Sequence, residues 1–148
     1  MARVSTYLNF AGNTLAAFEF YAGVFGTEFV DPPQFMRDVP FDDHMPTLTE
    51  AEQGMVMHVE LPILAGHLLM GTDAVETLGQ RIEPGNNVTV NLEPDTRAEV
   101  DELFARLSDG GDPTQCMPPM EMFWGGYYAT AVDKFGMRWM FNCAEAPG

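Results

Sequence analysis

The side chains best equipped to hold a metal gather in one short segment. His58 and Glu60 stand two residues apart in Met55-Val56-Met57-His58-Val59-Glu60-Leu61, and His67 follows beyond a turn. Imidazole nitrogen and carboxylate oxygen are donors that a divalent cation accepts. Two residues apart on a strand means one face, so His58 and Glu60 point the same way. A turn centred near Leu64-Ala65 pairs residue 58 near residue 71, which leaves His67 several residues out of register. The plain reading is polar side chains on a wet face; the alternative is a displaced metal site built from His58, Glu60 and His67. His44, in Asp42-Asp43-His44, reads as solvated. Cys116 and Cys143 form no CxxC pair and have no basic neighbour to activate a thiolate, so both read as reduced thiols rather than nucleophiles.

Those candidates sit in an acidic chain, with 22 Asp and Glu against seven Lys and Arg and a formal charge of −15. Such a surface repels phosphate backbones and anionic lipid, which argues against nucleic-acid and membrane partners. Solubility is the ordinary reason for the charge. No apolar run reaches membrane-spanning length and the first residues lack a signal-peptide core, so a cytoplasmic location is expected.

The elements that must hold the candidates repeat. Tyr7-Leu8-Asn9-Phe10 leads into Asn13-Thr14-x-Ala16-x-Phe18-Glu19, and Thr89-Val90-Asn91-Leu92 leads into Asp95-Thr96-x-Ala98-x-Val100-Asp101. Each copy reads as an alternating strand, a capping Asn or Asp, and an amphipathic helix. The first helix carries Leu15, Phe18, Ala22 and Phe25 as its stripe, with Asn13 as cap and Gly26 as stop. The second carries Val100, Leu103, Phe104 and Leu107, with Asp95 as cap and Gly110-Gly111 as stop. Gly66-His67-Leu68-Leu69-Met70 echoes Gly136-Met137-Arg138-Trp139-Met140, so the repeat extends to the last strand of each copy.

The expected fold is therefore α+β: two tandem βαβββ modules, 1–75 and 87–148, in one domain, joined by a linker at about 76–86. Their mixed sheet curves around a cavity, with helices outside. Alternation puts Leu8 and Phe10, and Met57, Val59 and Leu61, on the helix-covered side. Tyr7, Asn9, His58, Glu60, Met70, Asn91, Arg138, Met140 and Asn142 fall on the other side. Asp31 to Gly54, too long for a plain connection, is either a lid or a covering loop, with a short helix at Leu48 to Gln53.

Paired modules with these motifs resemble the vicinal-oxygen-chelate superfamily of glyoxalase, bleomycin-resistance and dioxygenase proteins, and within it the PhnB-like branch, labelled 3-demethylubiquinone-9 3-methyltransferase-like. The resemblance rests on Tyr7-Leu8-Asn9-Phe10, on Ala17-Phe18-Glu19-Phe20-Tyr21 with Phe25-Gly26, and on Leu69-Met70-Gly71-Thr72-Asp73. Phe123-Trp124-Gly125-Gly126-Tyr127-Tyr128 followed by Asp133-Lys134-Phe135-Gly136-Met137-Arg138-Trp139 is its most specific part.

The resemblance implies a divalent metal that chelates adjacent substrate oxygens, held by residues from the first and last strand of each module. Carried over, those positions fall near Ser5 and Asn87 and at Met70 and Met140, and a thioether is a poor ligand for hard cations. The usual metal site is therefore expected to be absent, and no cofactor is expected. Methyl transfer is also not expected, because no Gly-rich loop joins a strand to a helix. What the sequence points to is a small-molecule-binding protein lined by Tyr7, Asn9, His58, Glu60, Met70, Asn91, Trp124, Tyr127, Arg138 and Met140. The alternative is a metal-dependent lyase, isomerase or dioxygenase with a displaced site. The aromatic block is either part of that lining or core. Resemblance further implies a homodimer.

Overall fold

A computed structural model describes all 148 residues. Chain contacts divide it into two compact units, Met1–Glu83 and Pro84–Gly148. Each unit is a four-stranded mixed sheet, not closed, with an α-helix packed on one face.

In the first unit, β1 (Thr6–Phe10) leads to α1 (Thr14–Phe25). Then come β2 (Gln34–Phe35), α2 (Glu50–Gln53), β3 (Val56–Pro62) and β4 (Leu68–Asp73). The sheet order is β1-β4-β3-β2, with β1 parallel to β4 and the other pairs antiparallel. The second unit repeats this with β5 (Val90–Leu92), α3 (Arg97–Ser108), β6 (Met117–Glu121), β7 (Tyr127–Val132) and β8 (Arg138–Cys143), in the order β5-β8-β7-β6. No helix is long and apolar enough to cross a membrane.

Helix α1 buries Thr14, Ala17, Phe18, Tyr21 and Val24, a stripe turned from the expected one; Leu15, Ala22 and Phe25 lie at its margins. The turn has a local cause. Cε2 and Cζ of Phe18 lie against Gly71, where any Cβ would collide with them, so the helix settles at that contact. The cap also differs. Asn13 makes no side-chain capping bond. The carboxylate of Asp73, at the far end of β4, accepts from Gly12 N at 3.0 Å and from Thr14 N at 3.1 Å and Oγ1 at 2.6 Å. It thereby satisfies the orphan donors of the first turn. In the second unit Cys143 stands at the equivalent strand position, and α3 is capped locally by Thr96, which accepts from Glu99 N, rather than by Asp95. Val100, Leu103 and Leu107 are buried as expected, and Phe104 packs edge-on to Phe141. Gly26 ends α1 in the left-handed conformation at φ 65°.

From His58 onward strand β3 alternates as the sequence suggests, with Val59 and Leu61 buried, but ahead of it the pattern breaks. His58 stands opposite Gln34 and Val56 opposite Phe35, so Met57 is an extra residue, a bulge. Ahead of the bulge the faces are reversed, so Val56 is buried and Met57 is not on the expected side. Met57 instead joins Met36, Phe41, Leu48, Met55, Val75 and Leu78 in a small second core under the 31–54 segment. That segment is thus a covering loop with its own packing. Beside it an open groove of about 350 Å³ is lined by Met36, Phe41, Met45 and Leu48. Strand β6 contains Pro118 and Pro119, which an edge strand with an irregular register tolerates.

A capping box fixes the loop's helix, α2. Thr49 accepts from Glu52 N, and Glu52 accepts from Thr49 N. Glu52 also accepts from Thr77, at 3.0 Å from N and 2.5 Å from Oγ1, which ties the loop to the chain after β4. The Thr77 hydroxyl first, then the backbone N–H groups of Thr49 and Thr77, hold the Glu52 carboxyl down from 4.5 to about 2. A depressed carboxyl stabilises the fold above its ordinary value and loses that contribution as pH falls through the folded one. Carbon-detected NMR should place the Glu52 midpoint near 2. The loop core around Leu48 should loosen over that acid range, and Glu52→Gln should flatten the pH dependence.

Candidate functional site

The uncovered face of the first sheet carries a continuous hydrogen-bonded line. Tyr7 pairs with Met70, and Met70 with Glu60, so these three share one row across β1, β4 and β3. The Tyr7 phenol reaches over β4 to His58, with Oη 2.8 Å from Nδ1 and the rings 5.6 Å apart. On the other side of the imidazole, Nε2 lies 3.0 Å from Glu60 Oε1. Burial first, and the Glu60 charge second, push the Tyr7 hydroxyl above its ordinary value, so it keeps its proton at neutral pH. The partners then assign the tautomer: Tyr7 donates to Nδ1, and Nε2–H donates to the carboxylate. Tyr7 is 45% exposed, so part of its side chain is accessible on this face. Asn9 lies exposed on the same face, beside Thr72.

His67 does not join this group. Its Nε2 lies 2.9 Å from Thr6 Oγ1, and Thr6 projects to the opposite side of the sheet from Tyr7. The displaced triad His58, Glu60 and His67 is therefore split between two faces. No three His, Cys, Asp or Glu side chains converge as a metal-binding group. The first- and last-strand positions that the resemblance pointed to suit a metal no better. Met70 Sδ accepts from Ser5 Oγ at 3.8 Å and Met140 Sδ from Tyr128 Oη at 3.3 Å, while Asn87 is exposed ahead of β5. Soft sulfurs engaged in internal hydrogen bonds do not fit a hard divalent cation.

On the second sheet, Asn91, Arg138, Met140 and Asn142 share the uncovered face, with Asn142 Nδ2 donating to Asn91 Oδ1 at 2.8 Å. Tyr128 and Thr130 stand opposite Asn142 and Met140 there. Tyr127 lies on the helix side instead. Its hydroxyl donates to Asp101 of α3 at 2.6 Å, and Arg97 sits 4.8 Å over its ring. Trp124, in the β6–β7 turn, is 54% exposed and meets Tyr128 edge-on, while Phe123 is almost wholly exposed, so this end of the aromatic block is not core. Sequence reasoning had no signal for the reach of Tyr7 to His58, which parity alone cannot show. Tyr128 was one of two adjacent tyrosines, and strand register decides between them.

Two open βαβββ modules of this topology define the vicinal-oxygen-chelate fold. A protein from Frankia, a glyoxylase/bleomycin resistance protein/dioxygenase domain, superposes with a TM-score of 0.65 at 10% identity, over 100% of this chain and 96% of that one. The family model described as 3-demethylubiquinone-9 3-methyltransferase matches residues 2–141, and the chain belongs to that family. The protein PA1353 from Pseudomonas aeruginosa is similar at 27% identity and a TM-score of 0.78, over 97% of this chain and 98% of that one. A PhnB protein from Bacillus cereus, described as a putative 3-demethylubiquinone-9 3-methyltransferase, has a TM-score of 0.71 at 21% identity, over 97% and 100%.

Proposed function

We propose that this protein binds a small organic molecule on the uncovered face of a sheet, without a metal at the superfamily's usual first- and last-strand positions. The observation that carries the reading is the pairing of Met70 with Ser5 and of Met140 with Tyr128, which makes both last-strand positions soft and internally bonded. Apolar walls with a few oriented polar groups are what a small-molecule site needs, and Tyr7, His58 and Glu60 supply those groups. Methyl transfer has no support at the turn after β1, because the N–H groups of Gly12 and Thr14 at the start of α1 are already taken by Asp73. The reading includes a homodimer and a cytoplasmic location, both from the resemblance and the sequence.

The Tyr7–His58–Glu60 line favours a second reading, proton transfer to or from a bound ligand, with His58 as the group that takes the Tyr7 proton and Glu60 steadying the imidazolium. Binding of a fragment mixture to chelator-treated protein, followed at the His58 ring protons, tests the main reading. Tyr7→Phe should weaken any complex seen there, and binding only after a divalent metal is added would overturn it.

A further inference from the structure

With 22 carboxylates for seven basic side chains, a cation in this chain has acceptors in excess. Arg97 lies 3.5 Å from Glu121 and Arg106 2.9 Å from Glu102. Arg37 stacks on Phe35 and Lys134 on Phe135, while Arg3 and Arg81 stand in solvent. Arg138 does none of these. Its Nε is buried and donates to nothing, and no carboxylate lies within ion-pair distance of it. A buried guanidinium N–H without an acceptor is costly to the fold, and Arg138 is only half-buried on the face away from the helix, so an acceptor from outside that settles against its guanidinium would relieve that cost.

We infer that Arg138 anchors an oxyanion subsite on the second sheet, for a small molecule bearing a carboxylate or phosphonate-type group on an apolar or aromatic body. This rests on the small-molecule reading above. Nε–H and one terminal N–H of a guanidinium form a parallel fork that matches two oxygens of one anion. Strand alternation sets Met140 next along β8 on the same face, with Thr130 opposite it. Tyr128 leans toward that methionine through its 3.3 Å hydrogen bond, and Trp124 packs against Tyr128 with ring centroids 6.0 Å apart. The row from Arg138 to Trp124 thus offers a charged anchor followed by a soft, aromatic wall. Buried Val132, opposite Arg138, supplies a poorly polarisable side to the anchor.

The test is quenching of tryptophan fluorescence in chelator-treated protein by phenylacetate, phenylphosphonate and the neutral phenylacetamide. At least one anion should bind saturably and at least about tenfold more tightly than the amide, the difference expected for one charge-assisted pair. Phenylacetate alone would assign a planar carboxylate, and both anions alike a general oxyanion. Arg138→Gln should abolish the preference with the melting temperature kept. Arg138→Lys should weaken anion binding about tenfold by losing the fork. Arg81→Gln should change nothing. Equal binding of amide and anions, or an anion preference that survives Arg138→Gln, overturns the subsite while leaving small-molecule binding standing. Failure of all three probes overturns the subsite as well, and the fragment measurement at His58 decides the broader reading independently.

Discussion

Asp73→Ala is expected to destabilise the first unit by about 4 kcal/mol, since it strips the acceptor from several buried donors at once. The Asp73 side chain is 2% exposed and holds Gly12 N, Thr14 N, Thr14 Oγ1 and Val56 N, the last at 2.8 Å. One carboxylate thus joins the start of α1, the start of β3 and the end of β4. Without it, Gly12 N, Thr14 N and Val56 N lose their acceptor, the last two in buried surroundings. Asn keeps one acceptor oxygen but turns an amide N–H toward donors, so Asp73→Asn should lose roughly half as much. Urea unfolding followed by circular dichroism reads both. A melting temperature lowered by roughly 10–15 °C in Asp73→Ala is the corresponding thermal result, and a change within 2 °C would show that the cap is dispensable.

Trp139→Ala should have an effect of similar size, about 4–5 kcal/mol, in the second unit. Trp139 is 1% exposed and is the largest side chain of that core. Its indole Nε1 donates to Asp133 Oδ2 at 2.9 Å, while Asp133 Oδ1 accepts from Phe135 N and Met137 N. The carboxylate therefore organises the β7–β8 turn, and the indole secures it to the sheet. Trp139→Phe retains most of the buried area and removes only the N–H donor. It should cost about 1–3 kcal/mol and loosen the turn around Phe135, visible as faster amide exchange at Met137. An equal loss for Phe and Ala would mean that the hydrogen bond, not the ring volume, dominates.

These two carboxylates also show where sequence reading stops. The repeat made the paired βαβββ architecture legible, because strand alternation and helix periodicity are local signals that each copy carries. The caps were not legible. Asn13 and Asp95 are good capping residues at repeat-matched positions, yet α1 is capped by Asp73 from 59 residues away and α3 by Thr96. The cap on α1 depends on where β4 ends, and no local propensity encodes that. The same holds for β3. A single bulge at Met57, opposite a two-residue strand too short to announce itself, exchanged the faces of Met57 and Val56 alone and brought Val56 inside.

The candidate site divides in the same way. Parity placed Tyr7, Asn9, His58, Glu60 and Met70 on one face and Asn91, Arg138 and Met140 on another. It could not show that Tyr7 spans a strand to reach His58, nor that Arg138 lacks a partner. His67 was separated from His58 by register alone, and the structure adds the reason: Thr6 holds it on the opposite face.

The most direct measurement compares protein purified without added metal with the same protein after exhaustive chelation, recording metal content, melting temperature and fragment binding at the His58 ring. The account predicts no stoichiometric divalent metal, an unchanged melting temperature and unchanged binding. A tightly held metal in one-to-one ratio, whose removal lowers the melting temperature and abolishes binding, would contradict it.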